Sequence, residues 1–69
     1  MKQYRPFTHK GYLVIIEQQS NGSILAVATD LDDARARIKK VYYGYQVSYI
    51  KAEMKLWIND AIQHTEATV

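Results

Sequence analysis

The chain has no cysteine, one proline and three glycines among 69 residues. Without cysteine there are no disulfides and no thiolate metal sites, and the composition fits a reducing, cytoplasmic compartment. His9 and His64 are the only histidines. They stand at opposite ends, outside any spaced ligand motif, so neither a metal nor a cofactor is expected. Gly11, Gly22 and Gly44 lie too far apart for a phosphate-cradling loop. Long apolar runs are missing too. Tyr12–Ile16 is strand-sized, so no segment reads as a signal peptide or membrane span, and no membrane partner is expected. Nine basic against seven acidic residues leave only a small positive excess, not the footprint of a strongly phosphate-seeking protein.

Catalytic groupings are lacking as well. Serine, histidine and aspartate occur without a nucleophile-and-base arrangement, and Glu17 is the one acid inside a strand-like run. No enzyme activity is expected. The chain reads as one small domain, and a domain of this length buries only about 60% of its unfolded surface. With no disulfide or metal to help, self-association is the usual remaining source of stability.

What is present begins with a hairpin. GYLVIIEQQ and SILAVATD flank Asn21-Gly22, the pair that best tolerates a type I′ turn. A two-residue turn sets Ile16 opposite Val27 and Val14 opposite Thr29. One face then holds Tyr12, Val14, Ile16, Gln18, Leu25 and Val27. The other holds Leu13, Ile15, Glu17, Gln19, Ile24, Ala26 and Ala28. Both faces are apolar and both edges are open. Such a ribbon is unstable alone and needs helices, a third strand or a second molecule.

Thr29-Asp-Leu-Asp-Asp resembles a capped helix start, with acids at the positive end of the dipole. Leu31, Ala34, Ile38, Val41, Tyr42 and Tyr45 share one arc of a helix that Gly44 ends. A second helix is expected over 47–63, with Val47, Ile50, Met54, Trp57, Ile58, Ala61 and Ile62 on one face. A rival reading makes 45–50 a third strand, because the segment is rich in aromatic and β-branched residues. The expected architecture is therefore α+β: an N-terminal β-hairpin followed by two helices (ββαα) in a single small domain. Residues 1–10 form an extended or flexible N-terminal arm, 11–64 the domain, and 65–69 a frayed tail. The core centre is expected at Val14, Ile16, Leu25, Val27, Leu31, Ile38, Val41, Ile50, Met54 and Trp57.

Two surfaces are candidates for function. The first is a protein-binding surface of Tyr43, Tyr49, Leu56, Leu13, Ile15 and Ile24, outside the expected core stripes. It points to a small interaction or regulatory protein that self-associates as a homodimer, through the hairpin edge or its helix faces, or meets another protein. The second is a nucleic-acid contact set of Lys10, Arg5, Lys39 and Lys40 beside Tyr43 and Tyr49. Four of the six tyrosines fall within 41–49, just after Arg35-Ala-Arg37-Ile-Lys39-Lys40, and tyrosine beside cations suits stacked single strands. On the expected helix, however, both arginines have acidic partners in Asp32 and Asp33, and Tyr42 and Tyr45 face the core. Finally, YLVIIEQQSNGSILAVATDLDDA resembles the opening hairpin and helix of HicB-type antitoxin domains. Those carry a third strand between hairpin and helix. The resemblance covers under half the chain and implies no function for it. Short cysteine-free chains of this style are common among bacterial and phage proteins.

Overall fold

The computed structural model describes residues 2–67. One antiparallel sheet is followed by one helix, so the two-helix expectation is overturned. The strands are β1 (Lys2–Gln3), β2 (Phe7–His9), β3 (Tyr12–Gln18), β4 (Ile24–Asp30) and β5 (Arg37–Tyr42); the helix α1 spans Val47–Ala67. The five strands occupy four positions. β1 and β2 pair with opposite ends of the same edge of β3, then β4 and β5 follow. Tyr4 N–H donates to Ile16 O at 3.0 Å between the two short strands. Pro6, which has no N–H to give a ladder, sits in the gap, as suits an edge. The arm at 1–10 thus runs extended along the sheet from residue 2. At the other end, residues 65–67 continue the helix, and the last two positions of the expected tail lie outside the described residues.

Residues 30–44 do not form the expected first helix. The acids there close turns instead: Asp30 Oδ1 accepts from Asp32 N–H at 2.9 Å, and Asp33 Oδ1 from Arg35 N–H at 3.1 Å. Leu31 N–H donates to Gly11 O at 2.9 Å, tying this loop to the neighbouring turn. RIKKVY then pairs with β4 over its whole length. Its alternation buries Tyr42 and half-buries Ile38 and Lys40 while Arg37, Lys39 and Val41 stay exposed. The helical arc was a coincidence of spacing, outweighed by the row of unpaired backbone groups that β4 would otherwise leave open. The rival strand at 45–50 is not formed either, since Val47 already begins α1. A third strand thus stands between the hairpin and the helix.

The hairpin register also differs from expectation. Ile16 faces Ala26, and Val14 faces Ala28. The connection has three residues, Ser20–Gly22. Gly22 N–H donates to Gln19 O at 3.1 Å, and Gln19 N–H to Ser23 O at 2.8 Å. Gly22 takes φ +89°, whereas Asn21 stays outside the left-handed region, so this is a type I turn with a glycine bulge. Asn21 Oδ1 accepts from both the N–H and the hydroxyl of buried Ser23, at 3.0 and 2.6 Å. One extra loop residue turns β4 over relative to β3.

The type I′ turn lies elsewhere, at Lys10–Gly11 between paired His9 and Tyr12, with φ +50° and +82°. A left-handed backbone costs an L-residue other than Asn or Asp roughly 1–2 kcal/mol. Lys10→Asn is therefore expected to raise unfolding free energy by about 1 kcal/mol in urea denaturation; an unchanged midpoint would show that the turn is not strained.

The core lies between one sheet face and α1. It contains Val14, Ile16, Ile24, Ala26, Ala28, Tyr42, Ile50, Met54 and Ile58, with Tyr4, Phe7, Tyr12, Ile38, Val47 and Ile62 packed around it. The helix spacing 50, 54, 58 is one face at four-residue steps. Of the expected core, Val14, Ile16, Ile50 and Met54 are buried and Ile38 packs at the border. Leu25 and Val27 face away from the helix, and Leu31, Val41 and Trp57 are exposed. Ala26 and Ala28, directly beneath α1, let the helix approach the sheet closely.

Candidate interaction surfaces

The single helix covers one face of the sheet. The opposite face is laid out by the strand register in three rows across β3, β4 and β5. They are Leu13–Thr29–Arg37, then Ile15–Val27–Lys39, then Glu17–Leu25–Val41. No described element packs on it. Leu13, Ile15, Leu25 and Val27 are half-buried among their cross-strand neighbours, and Val41 is exposed. β4 thus turns Leu25 and Val27 away from the helix, and Ile24, Ala26 and Ala28 toward it. A shallow groove of about 270 Å³ opens at one end of this face, lined by Leu25, Val41, Tyr43, Lys39 and the Asn21 turn.

Of the expected protein-binding residues, Leu13 and Ile15 lie on this open face, and Tyr43 lines the groove at its far end, away from Leu13. Ile24 does not. Its register partner Gln18 and its 8% exposure place it under the helix, because the longer turn reversed the faces of β4. Tyr49 and Leu56 are exposed on α1, away from the open face. Tyr49 belongs to an aromatic corner: its ring stacks on Tyr45 at 5.0 Å, and Tyr45 meets Tyr42 edge-on at 5.9 Å. Glu53 joins the corner, accepting from the Tyr42 and Tyr49 hydroxyls at 3.4 Å each. Burial pushes the Tyr42 hydroxyl above its ordinary 10.0, and the Glu53 carboxylate does the same to Tyr49. Both therefore remain protonated donors at neutral pH.

The four expected nucleic-acid contacts are not brought together. Lys39 stands on the open face, while Lys40 points to the helix side, where its Nζ lies 3.8 Å from the Trp57 ring centroid. Arg5 is on the opposite edge of the sheet, and Lys10 in the β2–β3 turn. A different set of cations converges instead. Arg5, Lys51 and Lys55, with Pro6, Phe7, Thr8 and His9, line a groove of about 430 Å³ between the edge strand and α1. Lys55 Nζ stands 5.7 Å from the Phe7 centroid, and His9 Nε2 is bonded to Asn59 Oδ1 at 3.0 Å across the groove wall. Sequence reasoning missed Lys51 and Lys55, which carry no motif; only their four-residue spacing placed them on one helix face.

Both hairpin edges are occupied, one by β1 and β2 and the other by β5. The free edge of β5 is a poor site for self-pairing. Symmetric antiparallel pairing sets one residue opposite its own copy, and a centred register on 37–42 makes that residue Lys39 or Lys40. Like charges directly opposite oppose pairing, and lysine is a common guard of strand edges. Among the described residues no group of three or more His, Asp or Glu side chains could hold a metal ion, and no helix is long and apolar enough to cross a membrane. No protein-family model, curated protein or solved structure matches the chain.

Proposed function

We propose that this chain is a small, non-enzymatic, cytoplasmic interaction protein that works through its uncovered sheet face, and that the occupant of that face is a second copy of itself. The observation that carries this reading is the placement of Leu13, Ile15, Leu25, Val27 and Val41 on a face that no described element covers.

The corners of the face supply the choice of partner. Glu17 and Arg37 sit at diagonally opposite corners of this three-row array on β3, β4 and β5, about 16 Å apart at ordinary strand spacings, too far to pair within one chain. A two-fold axis along the Leu13–Val27–Val41 diagonal lays each of those residues on its own copy. It also lays Glu17 over the partner copy's arginine at 37, at both ends of the interface. The sheets then cross near a right angle, one of the two ordinary modes of sheet packing. The face is about 19 by 23 Å, or roughly 440 Å² per copy, below the ~800 Å² of a standard interface, so the association is weak and reversible.

The expected result is an apparent mass that moves from 8.0 kDa toward twice that value between about 5 and 500 µM in light scattering. Glu17→Arg and Arg37→Glu should each hold the chain monomeric, and the double exchange should restore the dimer. A mass independent of concentration, or a dimer indifferent to the single exchanges, would rule out this face as the interface.

A further inference from the structure

We infer that the groove between residues 5–9 and α1 is an anion site that takes the adjacent phosphate groups of a phosphodiester or diphosphate ligand. Three independent elements of geometry converge there. Lys51 and Lys55 are one helical turn apart, about 6 Å along the axis, on the helix flank that faces the edge strand. Arg5 comes from the opposite wall, in the gap between β1 and β2, and brings a planar fork suited to phosphate oxygens. No acidic side chain lines the groove.

Like charges four apart on a helix repel, and here a third cation is added across the groove rather than a carboxylate. An anion bridging the three removes that repulsion. The walls are also held in place. The His9–Asn59 bond ties β2 to α1, and Phe7 is packed on the core with the Lys55 ammonium above its ring. At about 430 Å³ the groove has the capacity of an ordinary small-ligand site, though it is open enough for a strand to lie through it. This site lies apart from the open sheet face and does not depend on it.

The test uses the full chain at about 5 µM, where the face-to-face dimer is dissociated, so its outcome is separable from the dimer proposal. Two probes distinguish the sources of phosphate: a fluorescein-labelled ten-residue oligothymidylate followed by anisotropy, and inorganic pyrophosphate followed by amide chemical shifts. Three phosphate contacts to a single strand predict a slope of about −2 for log affinity against log salt. Lys51→Gln/Lys55→Gln should reduce the slope to about −0.7 and weaken binding at least tenfold at 20 mM salt, while Lys39→Gln/Lys40→Gln changes it less than twofold. Pyrophosphate shifts at Phe7–His9 and 51–55, abolished by the same double variant and seen without oligothymidylate binding, would assign the site to a small phosphorylated ligand. Binding of neither probe at 20 mM salt, or equal losses from the two double variants, would overturn the site.

Discussion

Ile16→Ala is expected to remove about 3–4 kcal/mol of stability, while Ile15→Ala, one residue earlier, removes no more than about 1.5 kcal/mol. The two side chains are chemically identical and differ only in the face they occupy. Ile16 is 2% exposed and packed among Val14, Ile24, Ala26 and the helix residues Ile50 and Met54. Truncating it leaves a cavity beneath α1 that neither the ladder nor the helix can close. Ile15 stands on the open face between Leu13 and Glu17, where lost methyl groups are replaced by water. At roughly 0.05–0.15 kcal/mol per residue a chain of this size has only about 3–10 kcal/mol in total, so the Ile16 variant should be marginal or unfolded at room temperature. Urea denaturation followed by circular dichroism at about 5 µM protein measures both costs on the monomer. Equal costs would mean that Ile15 is also covered in the single chain. Repeating the Ile15 measurement at several hundred micromolar adds a second reading, because a dimer stabilises whatever face it buries and the penalty should grow with concentration.

How far the fold was legible follows from which signals were purely local. The two hairpin strands were, because runs rich in β-branched and other apolar residues at 12–18 and 24–30 flank the Asn21-Gly22 turn signal. α1 was too, since 47, 50, 54 and 58 repeat at helical spacing. β5 was not. Leu31, Ala34, Ile38, Val41 and Tyr45 fit a helical arc, and the acids at 30, 32 and 33 suit both a helix cap and a pair of turns. The deciding term, the open edge of β4, is a tertiary one that no local window contains. The candidate face shows the same division. Leu13 and Ile15 follow from the alternation of β3 alone. Ile24, Leu25 and Val27 follow only from loop length, and one residue more than a two-residue turn reversed all three. Arg5 meets Lys51 and Lys55 only because the arm folds along β3 and α1 returns over the sheet, a juxtaposition of distant segments that has no signature in sequence.

Ala26→Leu should destabilise the chain by about 2–3 kcal/mol and lift α1 off the sheet, whereas Val27→Leu changes stability by less than about 0.5 kcal/mol. Ala26 is fully buried, and its Cβ points at the helix surface formed by Ile50, Met54 and Ile58. Leucine there needs space that a close-packed interface does not have, so either rotamers distort or the helix retreats. Val27 points the other way, into the open face between Ile15 and Lys39, where an added methylene meets solvent. The chain carries its own probe of the difference. Trp57, the single tryptophan, sits at the rim of the helix–sheet interface with Lys40 Nζ 3.8 Å from its ring centroid. Withdrawal of α1 breaks that contact, so the emission of Ala26→Leu should shift to longer wavelength while that of Val27→Leu stays put. The pair also reads out the register. With a two-residue turn at Asn21-Gly22 the faces of β4 would be exchanged, Val27 would lie under the helix beside Ile16, and its enlargement would be the damaging one. A stable Ala26→Leu with native emission, or a Val27→Leu that loses it, would therefore exclude the Ile16–Ala26 pairing and with it the composition of the open face on which the dimer proposal stands.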